Sequence, residues 1–108
     1  MASGILGTPT DLSAGSYATV YTVPASTFAV ASVSMVNRSN TALTVRLAVT
    51  TQVSGTPTSA EFIEYDSTLA PKAILERTGI VLEAGRKLVA YSSAVSCNIV
   101  VFGIETTA

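Results

Sequence analysis

Residues 21–50 read YTVPASTFAVASVSMVNRSNTALTVRLAVT, with two charges, Arg38 and Arg46, and no acid. The apolar positions alternate. Over 27–37, Phe28 and Val30 share one face while Ala31, Val33 and Met35 share the other. Over 42–50, Leu43, Val45, Leu47 and Val49 point one way, and Thr44, Arg46, Ala48 and Thr50 the other. A period of two in β-branched residues marks strands, and the polar run Asn37 to Asn40 between them marks a turn.

The same pattern extends outward in both directions. SYATVYTV (16–23) alternates Tyr17, Thr19, Tyr21 and Val23 against Ala18, Val20 and Thr22. Further strand candidates are EFIEYD (61–66), AILERTG (73–79), RKLVAYSS (86–93) and SCNIVVFGIE (96–105), the last apolar on both faces. Gly, Pro, Ser and Asn punctuate the gaps at 14–16, 24–26, 54–58, 70–72 and 83–85. No helical stripe interrupts the series. The pattern predicts an all-β chain, an antiparallel β-sandwich (jelly-roll or Ig-like) of about eight short strands. At 108 residues this is one domain, read as 15–108 behind an N-terminal arm, 1–14. GTPT occurs at 7–10 and 55–58, and both copies read as loop or edge segments because proline cannot donate to a ladder.

Charged residues make up 12% of the chain, against roughly 25% in ordinary soluble domains. Whichever way each strand is phased, its outward side offers Ala, Ser, Thr and Val far more than Lys or Glu. Monomeric β-proteins protect exposed sheet with charge, so this surface predicts a homo-oligomer or a subunit laid onto a larger assembly. No apolar run reaches the roughly 18 residues of a spanning helix, and too few long alternating segments are present for a membrane barrel. The start, MASGILGTPTDL, lacks the basic and apolar regions of a signal peptide. These features predict a protein made in a cytoplasm with no membrane partner. Net charge is −1 and the six cations are scattered, which argues against nucleic acid.

The sequence has no histidine, which removes the usual general base and the commonest metal ligand. Neither GxSxG nor SxxK occurs, and no glycine loop suits a phosphate. No enzyme activity, cofactor or metal is expected. Glu61, Glu64 and Asp66 form the one dense acidic group. On a regular strand Glu64 and Asp66 share a face, an arrangement able to hold calcium or act as an acid–base pair, or simply a solvated edge. Cys97 lies in an apolar strand pattern and reads as a small buried thiol. Asn37-Arg38-Ser39 matches a glycosylation sequon, but an N-R-S-N turn explains it better, with no secretion signal at the start. Tyr17, Tyr21, Tyr65 and Tyr91 form a sugar platform if the fold clusters them, and otherwise pack in a core or interface. As polar interface contacts the candidates are Arg38 and Arg46, since arginine is enriched at interfaces. The alternative is that each caps a wet sheet face.

YTVPA (21–25), VNRS (36–39), VRLAV (45–49), EYDSTLAP (64–71), GIVLEAG (79–85), LVAYSS (88–93) and VVFGIE (100–105) follow one another in an order that resembles small β-sandwich virion proteins of phages. The resemblance spans about residues 15–105, and its motifs are structural rather than catalytic. It implies a virion location and a capsid decoration (cement) protein, often a homotrimer, bound to the major capsid protein or another virion protein. A tail, baseplate or fibre subunit is the alternative, and a glycan-binding receptor-recognition module a second. In the decoration reading Ile5, Leu6 and Leu12 are the apolar points of a docking arm that adds along a partner's sheet edge. Otherwise the arm is a disordered terminus or the first strand of the same domain.

Overall fold

A computed structural model describes residues 3–52 and 55–107. The strands are β1 (Ser3–Ile5), β2 (Thr10–Asp11), β3 (Tyr17–Thr22), β4 (Thr27–Asn37), β5 (Leu43–Thr50), β6 (Phe62–Leu69), β7 (Ile74–Leu82), β8 (Lys87–Ser92) and β9 (Cys97–Thr107). A single 3-10 turn, Ser59–Glu61, precedes β6. All strand pairs are antiparallel, in two sheets ordered β1-β9-β4-β7 and β3-β8-β5-β6, with β2 also on β9. With β1 and β2 counted as one position, successive strands alternate between the sheets except for β5 and β6, which pair within one sheet, and this is the double Greek-key order of a jelly roll. The expected antiparallel sandwich is therefore present, in its jelly-roll form.

Alternation in β4 and β5 produces the core. Ala29, Ala31, Val33 and Met35 of β4 meet Leu43, Val45 and Leu47 of β5, with Ile99 and Val101 of β9, Leu82 of β7, and Leu88 and Ala90 of β8 filling the space between the sheets. Gly103 lies opposite Ala31, where a Cβ would sit 2.0 Å from the Val30 carbonyl oxygen. β4 and β9 approach so closely there that only glycine fits.

Three expectations need correction. Residues 3–5 and 10–11 pair with β9, and Leu6 and Leu12 are buried in the core, so this part of the arm belongs to the sandwich. The run is too short and polar to show a strand period by itself. In β3 the register shifts between Thr19 and Tyr21, so Tyr21 turns inward instead of following Tyr17 and Thr19 outward. The strand expected at 73–79 continues to Leu82, carried past Gly79 by a register shift opposite Ala31 and Val33.

The motif segments are joined in pairs. The Tyr21 hydroxyl of YTVPA donates to the Glu105 carboxylate of VVFGIE; burial and that carboxylate push the phenol above its usual pKa. Asn37 of VNRS is fully buried, and its amide donates to the carbonyls of Thr41, Leu69 and Ala70 while its oxygen accepts from Ser39. This binds the β4–β5 turn to the end of β6, and removes Asn37 from reach as a glycosylation acceptor. Arg46 of VRLAV pairs with Asp66 of EYDSTLAP.

Candidate functional site

The outer face of the β1-β9-β4-β7 sheet follows from register. Val30 stands between Ile104 and Val81, Ser32 beside Phe102, Ser34 between Val100 and Glu76, and Val36 between Asn98 and Ile74. Ile5 adjoins Phe102 on the far side. Val81 is 67% exposed, Ile74 60%, Ile5 57% and Ile104 52%. The charges in these rows lie at the sheet's two edges: Glu76 on β7, and on β2 Asp11, which adjoins Asn98 and pairs with Arg38. Two eleven-residue strands set the length of the face. At about 3.3 Å per residue and about 4.8 Å between strands, its flat projection is roughly 600 Å². Ser32, Ser34, Asn98 and Glu76 take part of that area, and the face as a whole approaches the roughly 800 Å² per partner of a standard interface.

Edges are treated differently from this face. Register shifts interrupt β3, β6 and β7, and β1 and β2 are short and separated by Pro9. Such interruptions blunt strand addition. The neutral surface expected from composition is thus a face, suited to packing against another face rather than to edge pairing.

On the other sheet, Ala48 and Val89 are paired and alternate away from the core, yet each is only 1% exposed. The 55–61 segment crosses this side. Gly55 lies against Thr19, the partner of Val89, so tightly that a Cβ would stand 2.7 Å from the Thr19 Oγ1. Farther along, Glu61 accepts from the Thr50 hydroxyl and the Thr58 amide. Those contacts, the Thr58 amide foremost, hold the Glu61 carboxyl below its usual pKa.

Beyond the segment stands an aromatic cluster around Arg46. The guanidinium carbon lies 4.4 Å from the Tyr65 ring centre and 4.5 Å from that of Tyr91. Nη1 donates to the Tyr17 hydroxyl at 2.8 Å, while Nε and Nη2 reach the two Asp66 oxygens at 2.6 and 3.3 Å. Tyr17 packs on Tyr91 at 5.1 Å and on Phe62 at 6.1 Å, and Phe62 meets Tyr65 edge-on at 4.8 Å. A bulge in β6 makes this possible. Val45 pairs with Ser67 and Leu47 with Glu64, so Tyr65 and Asp66 together oppose Arg46. Asp66 adopts φ 50°, a left-handed conformation that aspartate tolerates better than most residues.

This bulge also separates the acidic group, against the expectation that Glu64 and Asp66 share a face. Glu64 turns to Arg77 and Ser67, Asp66 to Arg46, and Glu61 to Thr50 and Thr58. Among the described residues, no three His, Cys, Asp or Glu side chains gather as a metal site. Cys97 is buried, and burial raises its pKa, which leaves the thiol unreactive. Of the interface candidates, Ile5 lies on the bare face, Leu6 and Leu12 in the core, Arg38 in an exposed pair with Asp11, and Arg46 within the aromatic cluster. Set against family models, curated proteins and solved structures, the chain matches none.

Proposed function

We propose that this chain is a non-enzymatic virion structural protein, a phage capsid decoration subunit whose copies associate through the outer face of the β1-β9-β4-β7 sheet. The bare apolar face carries the proposal. One sheet of the sandwich covers its outward Val89 and Ala48 with its own chain, whereas the other leaves Val81, Ile74, Ile5 and Ile104 in water. A second copy brings a face with the same mainly neutral chemistry, and Glu76 at one edge and the Asp11–Arg38 pair at the other fall on the rim, where charge is tolerated. Two such faces close back to back, and three close as a prism around a threefold axis. The resemblance to phage virion proteins supplies the setting and favours the trimer. Jelly rolls recur in viral capsids, a fold-level analogy that agrees with the proposal without carrying it. Bound to the major capsid protein, a trimer engages three modest contacts at once and holds by avidity.

A tail, baseplate or fibre subunit would use the same surface. Labelled-antibody microscopy of intact particles distinguishes the two: the proposal expects label over the shell, and label confined to the tail overturns the decoration assignment.

A further inference from the structure

The second sheet offers a surface of another kind. We propose that its outer face carries a binding site for a neutral saccharide, in the groove between Tyr17, Phe62, Tyr65, Pro57 and Ser59. The groove encloses about 600 Å³, within the roughly 300–1,000 Å³ of small-ligand sites. Tyr17, Phe62 and Tyr65 give it tilted aromatic walls of the kind that C–H groups of a pyranose pack against, and Tyr65 is 58% exposed.

Arg46 decides the ligand's charge. Nε and Nη2 are engaged by Asp66, Nη1 is engaged by Tyr17, and the guanidinium is stacked against two rings. Three of its five N–H groups are used in this way and Asp66 offsets its charge, which disfavours a carboxylate or phosphate as ligand. The polar groups beside the rings are complementary to hydroxyls. The Tyr17 oxygen accepts from Arg46, so its own O–H remains to donate, while the Ser59 hydroxyl, on the same lining, can both donate and accept. A sugar hydroxyl both donates and accepts, and so matches this pair. The rings are also fixed before a ligand arrives: the β6 bulge aims Tyr65 and Asp66, and Arg46 bonds both neighbours. Such preorganisation reduces the entropy lost on binding. A proline-rich peptide fits less well, because the rings stand at 46° and 80° to one another rather than as parallel ridges.

The site lies on the sheet opposite the bare face and does not depend on the assembly reading. Its test is a neutral glycan array followed by saturation-transfer NMR with maltotriose, cellotriose and chitotriose at millimolar concentration. At least one neutral saccharide should bind. Tyr65→Ala should weaken that binding by tenfold or more, and Phe62→Ala should also weaken it, whereas Ile104→Ser on the opposite sheet should leave it unchanged. Silence across array and panel overturns the proposal, as does binding that survives both aromatic substitutions. Tighter binding of 3′-sialyllactose or of a proline-rich decapeptide at the same residues also overturns it.

Discussion

Val89 and Val81 are both valines on outward sides of the same sandwich, yet one is 1% exposed and the other 67%. Val89 lies on the sheet that the 55–61 segment crosses; Val81 lies on the sheet with no such cover among the described residues. The two faces therefore act as an internal control. The chain has the means to cover an apolar sheet and uses them on one side. On the other it leaves a flat, neutral surface of roughly interface size, while every edge strand is interrupted. A face left open between blunted edges is suited to a face-to-face partner.

The largest effect should come from the close contact beneath the bare face. Gly103→Ala would place a Cβ against the Val30 backbone, which cannot move without separating β4 from β9. Unfolding in urea should show a loss of about 2–4 kcal/mol; an unchanged midpoint would mean that the two strands are free to separate there. Next comes the face itself. Val81→Lys with Ile104→Lys should weaken self-association about 100-fold or more, given about 1.5 kcal/mol or more for each buried apolar side chain lost. Thr44→Lys, on the opposite sheet, should leave association intact. Sedimentation velocity across a dilution series compares the two, and equal losses would remove the distinction between the faces.

A smaller effect is expected in the aromatic cluster. Arg46→Lys keeps the charge but loses the planar fork and stacking. Tm should fall by a few degrees in a thermal melt, with association unchanged; weakened association would assign partner contacts to this face as well. The smallest effect concerns Glu61, whose pKa lies below the ordinary value of 4.5. Its ionised form is favoured in the folded state, so its contribution is present above that value and is lost as pH falls through the folded pKa. Glu61→Gln should flatten that part of the acid limb in a stability–pH series, and an identical limb would show that the contacts crossing the covered face add nothing.

Much of this was legible in the sequence. β4 and β5 follow the period of two from end to end, so their inward and outward residues could be assigned directly. The scarcity of charge pointed to an uncovered surface. It could not say which, because the rows Ile104–Val30–Val81 and Phe102–Ser32 exist only once the order β9-β4-β7 is known. Bulges were the other blind spot. A single unpaired residue near Val20 sends Tyr21 inward, and the pair Tyr65 and Asp66 sends Glu64 and Asp66 to different partners, yet neither leaves a mark in hydrophobic patterning. The aromatic cluster draws on β3, β6 and β8, a nonlocal meeting that no local window contains.

Sedimentation equilibrium of the unmodified chain at micromolar concentration addresses the bare face most directly. A mass that is a small multiple of 11.1 kDa, three-fold for the trimer, is expected, with the Val81→Lys/Ile104→Lys chain returning to a single copy. An unmodified chain that stays at one copy through the whole concentration range would show that the face needs no second copy to cover it.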